Sequence, residues 1–167
     1  LAQVDYSQHK FDGQSFLPYL EGETPPKERL LYFELGYARG IRIGDWKYLA
    51  IRYPEAIENM NLEERTATLK EWNDARRRRQ LNIVTDDPTQ PFSHLTAIPG
   101  GGDAERKSTG SYPAYFERDQ LYNLADDPNE QSNLVGDAQY ASILAEMQAA
   151  LKIQLETLPG SFGELKP

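Results

Sequence analysis

Histidine, serine, arginine and clustered carboxylates are the side chains of this chain with chemistry to offer, and their spacing limits each one. His9 and His94 are the only imidazoles, which argues against a metal site built from two or more close histidines. His9 sits in Ser7-Gln8-His9-Lys10, a polar connector that could at most approach a bound anion. His94 precedes the turn Gly100-Gly101-Gly102 in a long loop. It could face a ligand there, although a plain surface loop is the simpler reading. Ser15 lacks a Gly-x-Ser-x-Gly setting and a nearby His/Asp pair, so its sequence does not mark it as a nucleophile. The three glycines lack both the Lys-Ser/Thr and the strand–helix frame of a phosphate loop. Arg76-Arg77-Arg78-Arg79 closes a helical pattern, where cations suit the negative end of the helix dipole. Guanidinium forks also match sulfate and carboxylate; a solvated helix end ranks ahead of polyanion contact. Asp126, Asp127 and Glu130 lack the alternating oxygen ligands of a Ca²⁺ loop. They read instead as capping. Asp127 would cap a short helix, Pro128 would take the first helical position, and Glu130 would reach back as in a capping box.

These residues are carried by a predictable set of elements. Residues 1–27 read as an extended connector, with a turn at Asp12-Gly13-Gln14-Ser15 and apolar pins at Phe16, Leu17, Tyr19 and Leu20. Residues 28–167 read as one α+β unit. Strands are expected at Leu30 to Leu35, which is apolar and aromatic, and at Arg39 to Ile43 and Trp46 to Tyr53, where apolar and polar residues alternate. Gly44-Asp45 suits a two-residue hairpin. An insertion of about residues 54–113 follows, with a helix from Asn61 to Gln80. Asn61 caps it, Glu64 completes the box, and Leu62, Leu69 and Trp72 share a face. After an irregular, Pro- and Gly-punctuated stretch, a last strand is expected from Ala114 to Leu124. Asp137 then caps a helix to about Leu158, whose stripe is Tyr140, Ile143, Leu144, Met147, Leu151, Leu155 and Leu158. The fold class is therefore α+β. A small antiparallel sheet of about four strands is packed on one face by the C-terminal amphipathic helix. The other face is left free to dock on something larger.

Composition narrows the partners. A chain of 167 residues with 39% hydrophobic residues supports one folded domain. Its mean hydropathy of −0.69 implies long polar loops. A net charge of −8 disfavours nucleic acid and anionic membrane surfaces. No apolar run approaches the roughly 20 residues a membrane span needs. Zero cysteines exclude disulfides and thiolate metal sites. The start at Leu1, followed directly by polar sequence, reads as a cut inside a longer protein.

Three motifs, in order along almost the whole chain, carry a resemblance. They are Asp12-Gly13-Gln14-Ser15-Phe16-Leu17-Pro18-Tyr19-Leu20-Glu21-Gly22, then Arg39-Gly40-Ile41-Arg42-Ile43-Gly44-Asp45-Trp46-Lys47-Tyr48, then Gln120 to Leu134 with Asp127-Pro128-Asn129-Glu130-Gln131-Ser132-Asn133-Leu134 at its end. Together they resemble the end of the catalytic domain and the C-terminal subdomain of sulfatases, the arylsulfatase and N-sulfoglucosamine sulfohydrolase-like family. The long insertion departs from compact members of that family.

The resemblance implies a hydrolase of sulfate esters or sulfamates, a sulfated glycan being the expected substrate. It also implies a formylglycine nucleophile and Ca²⁺ in the parent chain, with a periplasmic or secreted location. The family makes its nucleophile in Cys/Ser-x-Pro-x-Arg, a pattern this sequence does not contain. No catalytic, cofactor-binding or metal residue is therefore carried over. The expected partner is an upstream catalytic domain. The loop from Phe92 to Tyr112, with His94, Arg106 and Lys107, is the candidate substrate-proximal element. The alternative is a stand-alone binding module for a sulfated polysaccharide or a protein.

Overall fold

Two tight turns fold the first three strands onto one another. Gly36 and Gly44 open them with φ of 53° and 59°, and neither following residue has positive φ. That is the pattern of a type II′ hairpin turn. The turns join β1 (Leu31–Leu35), β2 (Ala38–Ile43) and β3 (Trp46–Ile51), with Leu35 opposite Ala38 and Ile43 opposite Trp46. The computed structural model that shows this describes residues 15–24, 29–83, 85–90, 93, 111–163 and 165.

β4 (Asp119–Asn123) pairs antiparallel with β3, giving a sheet of order β1-β2-β3-β4. It is shorter than the strand expected from Ala114. Residues 113–116 turn instead, with the Tyr115 N–H on the Tyr112 carbonyl and the Glu117 N–H on that of Ala114. Pro113 fixes its own φ where this turn begins. The aromatic Tyr115 and Phe116, which resemble strand residues, pack edge to face on each other.

The register lines up Ile41, Tyr48 and Leu121 across three strands. With Ala50 they are fully buried beneath Met147 and Leu151 of the C-terminal helix. That helix is preceded by a short 3₁₀ turn (Ala138–Tyr140). Asp137 caps this turn by accepting from the Gln139 N–H at 2.9 Å. Asp137 thus serves the turn, not the α-helix as expected from sequence. Ile143, Leu144 and Leu155 line the rim of the core, and Phe162 and Leu165 finish it beyond the helix.

The opposite sheet face is not free over its whole width. Ile51, Gln120 and Tyr122 are buried there. The Gln120 amide donates to the Glu117 carbonyl at 3.0 Å, and the Tyr122 hydroxyl to Gln120 Oε1 at 3.0 Å. The chain's own residues 115–117 thus meet the β4 half of that face. Among the described residues the β1 half of that face stands open, with Leu31, Phe33 and Leu35 exposed.

A short helix α1 (Leu17–Leu20) precedes the sheet; between β3 and β4 the chain forms the short α2 (Glu55–Glu58) and the long α3 (Leu62–Arg78), and the C-terminal helix Ala141–Glu156 is α4. The Asn61 capping box forms as expected. Asn61 Oδ1 accepts from the Glu64 N–H at 3.0 Å, and the Glu64 carboxylate from the Asn61 N–H at 2.8 Å. The buried side of α3 is Leu69 and Asn73, four residues apart, whereas Leu62, expected on that face, is exposed. Leu62 lies in the first helical turn, nearly two turns from Leu69. Among the described residues no helix is long and apolar enough to cross a membrane.

Candidate functional site

The second and third motifs meet in space, and a lysine and a glutamate join them. Lys47 of β3 places its ammonium 2.6 Å from Glu130 Oε1, both side chains being largely shielded. The same ammonium lies 6.0 Å from the centre of the Phe33 ring. Glu130 is held at φ 57°, in the left-handed region. That conformation prevents the helix expected after Asp127. Residues 128–129 form a turn, and the Glu130 carboxylate points to Lys47 instead of reaching back to the cap. Asp127 organises the turn instead. Backbone N–H groups of Gln131 and Ser132, the latter at 2.8 Å, hold its carboxyl below the usual carboxylate range.

Asn133 closes the outer edge of β4. Its Oδ1 accepts from the Leu121 N–H at 2.9 Å and the Val135 N–H at 3.1 Å, while its amide donates to the Asp119 carbonyl at 2.9 Å. The Leu134 N–H bonds the Leu121 carbonyl beside it. A side chain thus supplies the pairing that a further strand would otherwise supply.

Under α4 lies a polar cluster that sequence reasoning missed. Asp119 Oδ1 accepts from Arg52 Nη2 at 2.8 Å and from the Tyr48 hydroxyl. Gln148 of α4 reaches that hydroxyl at 3.4 Å. Arg52 also donates to the carbonyls of Ile51 and Arg118. Burial, then the bond to Asp119, raises the Tyr48 phenol well above its ordinary value. The signal available in sequence was an arginine on the core-facing side of an alternating strand, which needs a buried anion.

The arginine run is divided. Arg76 Nε donates to the Asn82 carbonyl at 2.6 Å and its guanidinium lies 5.8 Å from the Trp72 ring centre. Arg77 grips both oxygens of Asp86 at 2.8 Å. Asn73 donates to that same carboxylate at 2.8 Å. Arg78 and Arg79 are exposed and form no side-chain hydrogen bond or ion pair among the described residues. Ser15 accepts from the Leu17 N–H at 3.2 Å, at the exposed start of α1.

His94, Arg106 and Lys107, the candidate substrate-proximal residues, lie outside the described residues, as do His9 and Gly100 to Gly102. Among the described residues no group of three or more His, Cys, Asp or Glu is placed to hold a metal ion. The polar contacts on β3, β4 and the turn at Asp127 tie turns to strands and strands to α4. Neither a scan against models of known protein families nor a search of curated proteins finds a match to this chain.

Proposed function

We propose that this chain is the C-terminal α+β subdomain of a sulfatase, a hydrolase of sulfate esters or sulfamates, and that alone it has no activity. It braces an upstream catalytic domain, and residues 92–112, with His94, Arg106 and Lys107, border the substrate mouth. The observation that carries this reading is the Lys47–Glu130 pair, which joins two of the three sulfatase-like motifs through scaffolding contacts. Asp127 and Asn133 hold the same motif region together in the same way. Phe16, Leu17 and Leu20 of the first motif are exposed, Leu20 at 83%. They supply an apolar surface for the upstream domain.

Formylglycine and Ca²⁺ do not fit the residues of this chain, which offers no Cys/Ser-x-Pro-x-Arg and, among the described residues, no metal-binding group. No step of sulfate transfer is assigned to it. The test is peptide mass sequencing of the native protein upstream of Leu1, beside a sulfatase assay of the 167-residue chain. A formylglycine motif upstream and an inactive fragment are expected. Desulfation by the fragment itself would refute the reading.

A second reading, a binding module for sulfated polysaccharide, is favoured by the two exposed arginines at the end of α3. It expects saturable binding that falls in an Arg78→Ala/Arg79→Ala variant and persists in Arg76→Ala. Equal binding by both variants would remove its basis.

A further inference from the structure

Among the described residues, the outer edge of β4 is closed and that of β1 is open. In an antiparallel sheet, successive residues direct their main-chain groups to alternate neighbours. Leu121 sets the phase, because its N–H and carbonyl point outward to Asn133 and Leu134. Carried through the registers, that phase directs Leu31, Phe33 and Leu35 toward β2. The N–H and carbonyl groups of Tyr32 and Glu34 therefore aim off the sheet. Among the described residues they make no hydrogen bond there. Beside them Phe33 is 43% and Leu35 79% exposed, on the face that α4 does not cover. An unpaired edge with an apolar flank is a template for another strand.

The sequence of that edge selects the occupant. The apolar positions Leu31, Phe33 and Leu35 read the same in either direction, and reversal sets the Tyr32 hydroxyl, a donor, against the Glu34 carboxylate, an acceptor. We propose that β1 pairs antiparallel with β1 of a second copy, about a two-fold axis at Phe33. Phe33 then faces its own counterpart, Leu31 faces Leu35 of the second copy, and Tyr32 faces Glu34 of the second copy. Every outward main-chain group gains a partner, and the apolar residues form one stripe across the axis. The carboxylates do not oppose the pairing. Glu34 lies 3.0 Å from Arg39 Nη2 and accepts the Tyr32 hydroxyl at 2.8 Å. An isologous contact of this kind closes at the dimer. The proposal is independent of the sulfatase reading.

Sedimentation of the 167-residue chain across a concentration series tests it, in salt high enough to screen the net charge of −8. A reversible monomer–dimer equilibrium is expected. Phe33→Lys puts a charge in the stripe, and Glu34→Pro removes one outward N–H without touching the main-chain bonds between β1 and β2, although it also removes the carboxylate paired with Arg39. Each is expected to raise the dimer dissociation constant by at least about tenfold, with the far-ultraviolet circular dichroism unchanged. Should Glu34→Pro fail to fold, Phe33→Lys decides alone. A chain that stays monomeric, an open-ended polymer, or a dimer that survives the folded variants would overturn the proposal.

Discussion

At the scale of single residues, Asp119 anchors the polar cluster beneath α4, because it accepts from both the Arg52 guanidinium and the Tyr48 hydroxyl. Removing one partner of a shielded ion pair costs more than the pair contributes, since the remaining charge loses compensation it had when buried. Asp119→Ala is expected to lose about 3 kcal/mol in urea unfolding. Tyr48→Phe, which deletes one neutral donor, is expected to lose about 1 kcal/mol. Equal losses would contradict the assignment of Arg52 as the group at risk. The cluster also sets an alkaline limit. Burial raises the phenols of Tyr48 and Tyr122, and partial burial together with the Glu34 carboxylate pushes Tyr32 up to about 12. Below about pH 10 the phenols stay protonated in both folded and unfolded chains. Above it the unfolded chain releases its protons first, so stability falls as pH rises. Unfolding free energy measured from pH 8 to pH 11 is expected to fall more gently in Tyr48→Phe than in the parent.

At the scale of elements, the end of α3 shows strain at a single backbone position. Gln80 takes φ 58°, and the bonds from the Gln80 N–H to the Arg77 carbonyl and from the Leu81 N–H to the Arg76 carbonyl, each 3.0 Å, form a Schellman motif. Glycine occupies that position without the steric penalty of a Cβ. Gln80→Gly is therefore expected to stabilise the chain by about 0.5–1 kcal/mol, read as a higher urea midpoint. A loss would show that the glutamine side chain has a role of its own. The same helix shows what the sequence reveals. Its start was legible because Asn61 and Glu64 act within one turn of chain. The β2–β3 hairpin was legible because alternation and Gly44 are equally local. The turn at Asp127 was not, since Asp-Pro-x-Glu serves a helix start and an Asp-centred turn alike. What decided between them is Lys47, far away in sequence, which draws the Glu130 carboxylate off the local backbone. The cluster of Arg52, Asp119 and Gln148 was hidden for the same reason, its members coming from just past β3, from β4 and from α4.

At the scale of the whole molecule, the segment from Tyr53 to Arg118 leaves and rejoins the sheet at one place, where the Ile51 N–H bonds the Arg118 carbonyl at 2.7 Å. Closing a loop depends only weakly on its length. Replacing residues 55–110 with a flexible linker of about ten residues is expected to change unfolding free energy by no more than about 2 kcal/mol. The near-ultraviolet dichroism of the core should persist while helical signal falls. Collapse of the near-ultraviolet signal would show that the insertion is part of the core. The two tryptophans make such partial events visible. Trp46 packs at 5.4 Å and a 54° tilt against Tyr140 beside the sheet core, whereas Trp72 sits on α3 beneath Arg76, its indole N–H buried without a partner among the described residues. The chain therefore carries one native fluorophore in each half, and Trp46→Phe or Trp72→Phe turns its emission into a separate clock for the insertion or for the sheet.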